Sequence, residues 1–236
     1  MPRKPRFFMP GVPAHVVQRG NNRQAVFYED PDYRVYLEWL EEGAKRYGCA
    51  VHAYVLMTNH VHLLATPQES DSISRMLQYV GRRYVPYVNH TYGRSGTLWE
   101  GRFKASPVDA SEYLLACYRY IEMNPVRAGM VETPRGYRWS SYRANAQGTA
   151  DPVVSPHDMY LGLGTDEPQR RAAYRALFRG YFEDPGMEDI RACLQTGTPL
   201  GNDRFRTEIE RTLQVKVGQA TRGRPKKVGR NEQKGL

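Results

Sequence analysis

The chain has 236 residues, with 34 Lys and Arg against 25 Asp and Glu, a formal net charge of +9 and 40% hydrophobic residues. This apolar content supports a folded core and excludes a wholly disordered chain, and every apolar run is far shorter than the roughly 20 residues that cross a bilayer. Three scattered cysteines without a C-x-x-C pair exclude a disulfide framework and a thiolate zinc site. The run Phe7-Phe8-Met9 is too short for a signal peptide, so we expect a cytoplasmic, nucleoid-associated protein.

The hydrophobic pattern predicts alternating strands and helices over the first part of the chain. The predicted elements are a strand over 14–19, a helix over 31–47, a hairpin of strands over 49–57 and 60–66, a helix over 71–91, a strand over 102–108 and a helix over 111–123. The Asn124-Pro125 step should end the last helix. This order is typical of an α+β fold with an antiparallel-rich central sheet and helices packed on one face.

The composition of the sequence changes at Gly148, where a loop-rich connection begins. Helices are predicted over 168–182, 187–195 and 203–213. We therefore divide the chain into a main domain over 1–147, a small helical appendage over 148–213 and a basic tail over 214–236, which has too few apolar residues to fold alone.

Charge is distributed unevenly along the chain. Basic zones over 1–24, 75–143 and 214–236 alternate with acidic zones over 25–74 and 144–213. Separate basic segments that converge on one polyanion would give this pattern, because each neutralised phosphate releases counterions. A generally basic surface would give it equally well.

Two histidines in a predicted strand are the first candidates for chemistry. His60 and His62 are two residues apart, so their side chains should project from the same face of the strand. Two neutral imidazoles held in this way can share a divalent cation. A pair of structural histidines in a half-buried strand is the alternative.

A polar stripe on the predicted helix over 111–123 is the second candidate. At 3.6 residues per turn, Tyr113, Tyr120 and Asn124 share one stripe beside the apolar stripe of Leu114, Tyr118 and Ile121. A metal bound by two imidazoles and an amide oxygen would polarise a phosphodiester, and a nearby phenol could attack its phosphorus. The spacing alone does not choose among the tyrosines.

Motifs in a fixed order resemble those of the REP-associated tyrosine transposases, a group of single-tyrosine HUH transposases. They are Gln18-Arg19-Gly20-Asn21-Asn22-Arg23, Asn59-His60-Val61-His62, Leu98-Trp99-Glu100-Gly101-Arg102-Phe103 and Tyr120-Ile121-Glu122-Met123-Asn124-Pro125-Val126-Arg127. The resemblance runs from Pro13 to Tyr142 and so covers more than half of the chain.

The resemblance implies specific roles and a specific reaction. The HUH histidines fall on His60 and His62, the nucleophile on Tyr120 and a third metal ligand on Asn124. The family cleaves single-stranded DNA with a divalent metal, Mg²⁺ or Mn²⁺, leaves a 5′-phosphotyrosine and a free 3′-OH, and then transfers the strand. Its substrates are repetitive extragenic palindromic hairpins with a short guiding tetranucleotide, and its fold is an antiparallel-rich sheet with flanking helices.

Basic side chains near these motifs are the candidates for DNA contacts. In the main domain they are Arg19, Arg23, Arg82, Arg83, Arg102, Lys104 and Arg127. In the tail, Arg222-Gly223-Arg224-Pro225-Lys226-Lys227 resembles the core of an AT-hook, in which Arg-Gly-Arg lies in a narrow minor groove. The candidates there are Arg222, Arg224, Lys226 and Lys227.

Other functional classes remain as alternatives. A non-catalytic protein that keeps the HUH fold to read DNA hairpins would bind without forming a covalent adduct, and an RNA-binding module would prefer RNA and ignore chelators. Phosphate-binding P-loop, G-x-S-x-G and zinc-deaminase motifs do not occur in the sequence.

Overall fold

A four-stranded antiparallel sheet forms the centre of the computed structural model, which describes residues 8–179 and 186–214. Its strand order is β2-β3-β1-β4, and the strands are β1 (Ala14–Arg19), β2 (Cys49–Met57), β3 (His60–Pro67) and β4 (Lys104–Pro107). β2 and β3 form the predicted hairpin, while β4 is a short edge strand inside the predicted range 102–108. The α+β, antiparallel prediction is therefore confirmed.

The helices in the described part of the chain cover both faces of the sheet. They are α1 (Asp30–Tyr47), α2 (Ser72–Thr91), α3 (Ala110–Glu122), α4 (Asn124–Arg127), α5 (Tyr142–Gln147), α6 (Asp158–Leu161), α7 (Glu167–Ala176), α8 (Gly186–Thr196) and α9 (Asp203–Leu213). Among these residues, no helix has the length and hydropathy needed to cross a membrane.

The prediction that the helices pack on one face is wrong. Gln18 of β1 lines a cleft together with α2, whereas its sequence neighbours Val17 and Arg19 point to the opposite face. On that opposite face, Tyr120 of α3 packs against His15 and His62. Both β2 and β3 are buried along nearly their whole length, so each face of the sheet needs a covering layer.

Helix α3 ends where the sequence predicts, but the chain does not leave the helical path. The Asp109 side chain accepts a hydrogen bond from the Ser111 backbone N–H and so caps the start of α3. At the other end, Met123 keeps a helical conformation and α4 follows directly, with Pro125 in its first turn. Asn124 is thereby held one turn after Tyr120.

The region after Gly148 shares the core of the main domain. Tyr160 and Tyr174 are buried in the same hydrophobic cluster as Tyr118 of α3. The predicted helices correspond to α7, α8 and α9, with the end of the first predicted range lying outside the described residues, whereas the short helices α5 and α6 had not been predicted. The domain division at 147/148 stays a prediction.

A buried carboxylate connects α3 to this region. Glu122 accepts hydrogen bonds from Ser141 Oγ at 2.6 Å, Asn145 Nδ2 at 2.8 Å and the Tyr174 hydroxyl at 2.7 Å. Burial raises the pKa of Glu122 to about 7, and the three donors only partly oppose this effect. Glu122 therefore fixes the helix that carries Tyr120 against α5 and α7.

Replacing Glu122 should change how the stability of the protein depends on pH. Because its folded-state pKa is raised, its contribution to stability is full in acid and is lost as the pH rises from about 4.5 through 7. Between pH 5 and pH 8, the free energy of unfolding of Glu122→Gln should therefore rise by on the order of 2 kcal/mol relative to that of the wild type. Urea unfolding at both pH values measures this difference. Glu132→Gln, at an exposed position, controls for net charge, and a pH-independent difference for Glu122→Gln would contradict the prediction.

Candidate active site

The two HUH histidines lie side by side on the face of the sheet covered by α3. In the antiparallel register, His62 pairs with Val17 and His60 pairs with Arg19, so all four side chains share that face. The ring centroids of His60 and His62 are 5.1 Å apart. His62 is buried, whereas His60 is half-buried at the end of the strand. The placement of both rings on one face is as the spacing predicts.

A third histidine, which the sequence analysis missed, completes this group. His15 of β1 is buried, and its Nε2 lies 2.8 Å from Nδ1 of His62. Its ring also meets the Tyr120 ring edge-on, with centroids 5.5 Å apart. Because side chains alternate along β1, His15 projects from the same face as Val17 and Arg19. Only the register against β3 shows that this face is the one that carries the HUH pair.

All three imidazoles are held in the neutral form. Burial, followed by the charge of Arg127, lowers the pKa of His15 to about 3. Burial, followed by the charges of Arg19 and Arg127, lowers the pKa of His60 to about 4. The pKa of His62 is lowered well below its usual value, first by burial and then by its neighbours. Neutral imidazole is the form that binds metal ions.

The hydrogen bonds of the HUH pair leave one ring nitrogen of each available. His60 Nδ1 lies 2.6 Å from Asn59 Oδ1, which can only accept, so Nδ1 carries the proton and Nε2 the lone pair. His62 Nδ1 is bonded to His15. Within the described residues, neither Nε2 has a hydrogen-bond partner. A ligand histidine whose other nitrogen is held in this way is typical of metal sites.

The bond between His15 and His62 links the tautomers of the two rings. If His62 binds a metal through Nε2, its Nδ1 must donate to Nε2 of His15. The proton of His15 then sits on Nδ1, which is buried and has no partner among the described side chains and backbone. Metal binding therefore requires a specific protonation of both rings.

Tyr120 lies beside the histidines, and Arg127 joins it to Asn124. The Tyr120 and His62 ring centroids are 6.0 Å apart. Asn124 Nδ2 donates to the Tyr120 carbonyl at 2.9 Å, and its Oδ1 accepts from Arg127 Nη2 at 2.7 Å. The Arg127 guanidinium also lies over the Tyr120 ring, 4.3 Å from its centroid.

The donor set fits a divalent cation. Two imidazole nitrogens and an amide oxygen form a mixed N/O set, and the Asn124 oxygen has a second lone pair besides the one used by Arg127. In the described ranges, no three or more His, Cys, Asp or Glu side chains form a metal-binding group.

The match to a known family coincides with these residues. Residues 9–124 match the model of a family described as Transposase IS200 like. The matched stretch contains His15, His60, His62 and Tyr120 and ends at Asn124. Over this stretch, the chain is similar to the IS200-like transposases.

A solved structure shows a similar fold. The chain is similar to a REP-associated tyrosine transposase bound to a REP hairpin, with 18% identity, a TM-score of 0.53 and coverage of 66% of this chain and 93% of that one. The likeness supports an HUH transposase fold. A structure described as a transposase from Deinococcus radiodurans R1 has 22% identity, a TM-score of 0.36 and coverage of 48% of this chain and 90% of that one. No curated protein sequence matches the chain significantly.

The other tyrosines of α3 differ from Tyr120 in their surroundings. Tyr118 is fully buried and packs against Tyr160 and Tyr174, on the apolar stripe that the sequence predicts. Tyr113 is half-buried at the other end of α3. Of the three, Tyr120 is the one in ring contact with His15 and His62.

The structure divides the DNA contacts predicted in the main domain between the two faces of the sheet. Lys104 pairs with Val17, so its exposed side chain and that of Arg19 project on the histidine face. Arg82 and Arg102 line a cleft on the α2 face. The remaining predicted contacts are Arg83, which stacks on the Tyr79 ring at 3.6 Å, Arg23 in the turn after β1, and Arg127 beside Tyr120. Arg222, Arg224, Lys226 and Lys227 lie outside the described residues.

The neutral histidines make the stability of the protein sensitive to acid. Because the pKa of His15 is lowered to about 3, its contribution is full above about pH 6.5 and is lost as the pH falls below that value. Between pH 6.5 and 4, His15→Gln should therefore lose less stability than the wild type, by about 1.4 kcal/mol per pH unit. Chemical unfolding across this range measures the two slopes, with His90→Gln at an exposed position as the control. Equal slopes for the wild type and His15→Gln would contradict the assignment.

Proposed function

We propose that the chain is a REP-associated single-tyrosine HUH transposase that nicks single-stranded DNA hairpins and transfers the cut strand through a 5′-phosphotyrosine intermediate. The observation that carries this proposal is the packing of the Tyr120 ring against His62 and His15. The order of motifs in the sequence and the family match over residues 9–124 support it.

Tyr120 is the proposed nucleophile. Its phenol oxygen attacks the phosphorus of a phosphodiester and releases its proton, and the bond from phosphorus to the 3′ oxygen breaks. The departing 3′ oxygen takes up a proton to give a free 3′-OH, while the phosphate stays on tyrosine as a new phosphodiester. Attack on that bond by an acceptor 3′-OH completes strand transfer. Each step exchanges one phosphodiester for another, so no nucleotide cofactor is required.

His60, His62 and Asn124 are the proposed ligands of Mg²⁺ or Mn²⁺. Their Nε2 atoms and amide oxygen are the atoms suited to this role, and the neutral imidazoles support it. When bound, the cation supplies Lewis-acid polarisation of the phosphodiester. His15 is a positioning residue, because its Nε2 is bonded to His62 Nδ1 and holds that ring in place.

The proposed substrate is a REP-like DNA hairpin with an adjoining single strand. The similar solved structure is a REP-associated tyrosine transposase bound to a REP hairpin. Arg19, Lys104 and Arg127 place positive charge on the face of the histidines, where a phosphate has to bind during cleavage. Arg127 also keeps Tyr120 and Asn124 in a fixed relation, because it contacts both.

Tyr120→Phe should abolish covalent capture and leave binding intact. The change removes one oxygen and little volume, so the protein should fold and bind hairpins as the wild type does. Adduct formation should fall by several orders of magnitude, because no other group replaces the nucleophile. The measurement is an SDS-resistant adduct with a labelled single-stranded hairpin in Mg²⁺ or Mn²⁺, and Tyr113→Phe is the matched control. An adduct formed by Tyr120→Phe would overturn the assignment, and wild-type protein that binds DNA but never forms one would be a hairpin reader.

His60→Ala should separate metal binding from DNA binding. His60 is the better test of the pair because it is half-buried, whereas His62 is buried and bonded to His15. The variant should lose the adduct and bind Mn²⁺ at least about tenfold more weakly, while hairpin affinity changes little, since phosphate contacts dominate affinity. Calorimetric titration with Mn²⁺ and a hairpin binding assay test both parts. His90→Ala is the control, and unchanged Mn²⁺ affinity in His60→Ala would reject His60 as a ligand.

A further inference from the structure

A cleft of about 750 Å³ lies on the face of the sheet opposite the histidines. It is formed by α2, by the end of β1 and by the segment that leads into β4. Its volume is within the roughly 300–1,000 Å³ typical of small-molecule pockets. None of the proposed catalytic or metal-binding residues lines it.

The walls of the cleft combine aromatic and apolar surface with a few polar groups. Trp99 and Phe103 supply rings, while Gln18 and Gln78 supply amides. The indole N–H of Trp99 is buried and has no hydrogen-bond partner among the described residues. A buried donor without a partner is costly, and an acceptor brought by a ligand would satisfy it.

Positive charge borders this apolar surface. Arg82 and Arg102 line the cleft, and both residues are exposed. Aromatic surface beside arginines is the combination that binds single-stranded nucleic acids, where rings stack on bases and cations contact the backbone. This charge favours a polyanionic ligand over a neutral apolar one.

The cleft and the proposed active site meet at the same end of the sheet. Gln18 lines the cleft, and the next residue, Arg19, lies opposite His60 on the other face. The edge strand β4 has four residues and begins at Lys104, directly after Phe103 of the cleft. A strand of DNA that leaves the histidine face therefore has to pass only this short edge to reach the cleft.

We propose that the cleft binds one unpaired nucleobase of the DNA that occupies the active site, which rests on the proposed function. The base stacks against the aromatic wall, its edge is read by the amides of Gln18 and Gln78 and by the Trp99 N–H, and the neighbouring phosphates are contacted by Arg82 and Arg102. The DNA is thereby held on both faces of the sheet.

Gly81 provides a way to block the cleft without disturbing the fold. It lines the cleft within α2, and a Cβ built on it meets no atom within 4 Å. Gly81→Leu should therefore fill the cleft, and a helix interior accepts leucine better than glycine. The matched control is His90→Leu, which adds an exposed leucine to α2 nine residues later, two and a half turns away and so on the opposite side.

The test is a double-mutant cycle in which one change is Gly81→Leu and the other is the removal of a base from the DNA. Each unpaired base of a labelled hairpin oligonucleotide is replaced in turn by an abasic site, and affinities are measured for the wild type, Gly81→Leu and His90→Leu. At one position, loss of the base should weaken wild-type and His90→Leu binding about tenfold. Gly81→Leu should bind the intact oligonucleotide about as weakly as the wild type binds the abasic one, and should not respond further to base removal.

Several outcomes would overturn the proposal. The proposal fails if Gly81→Leu binds all oligonucleotides with wild-type affinity. It also fails if Gly81→Leu lowers the affinity for intact and abasic DNA by the same factor, which would indicate another occupant of the cleft. Trp99→Phe, which keeps a ring and removes the N–H, provides a second variant and should show a reduced response to the same abasic position. Failure of the proposed function is distinguishable, because wild-type protein would then form no adduct through Tyr120 even if the cycle shows base binding.

Discussion

The antiparallel register of β1 against β3 is the constraint on which the candidate site depends. It sets His15 and Arg19 on the same face as His62 and His60. Since side chains alternate along a strand, a slip of one residue in β1 would move His15 and Arg19 to the α2 face and bring Gln18 beside the HUH pair. The hydrogen bond between the two buried imidazoles requires the observed register, and so does the contact of both rings with Tyr120.

The position of α3 is the second requirement, and residues outside the family-matched stretch fix it. Glu122 lies between Tyr120 and Asn124 in the chain, and its carboxylate is bonded to Ser141, Asn145 and Tyr174, which all come after residue 124. These contacts fix the rotation of the helix about its axis. The apolar side of α3 then faces the core, while Tyr120 remains beside His15 and His62.

The sequence predicted the strands, the hairpin and the long helices because each is local and strongly patterned. It did not predict cover on both faces, although β2 is buried at eight of its nine positions, a run without the alternation that one solvated face would produce. Helices α5 and α6 have six and four residues, too few for a helical period to be visible. His15 was missed because its role depends on pairing with a strand 47 residues later. Spacing also left Tyr113 and Tyr120 equivalent, and only packing against β1 and β3 distinguishes them.

The arginines around the histidines help to keep the imidazoles neutral and can also contact a DNA phosphate. These two roles oppose each other once DNA binds. Arg127 and Arg19 help to lower the pKa of His60 and keep its imidazole neutral. The same charges are the nearest partners for a DNA phosphate, and a phosphate beside them cancels part of their field. Burial is the larger cause of the lowered pKa of His15, His60 and His62, and it does not depend on those charges. Under the proposed function, the histidines therefore stay neutral when the arginines contact DNA, and the proposed ligands keep the form that binds a metal.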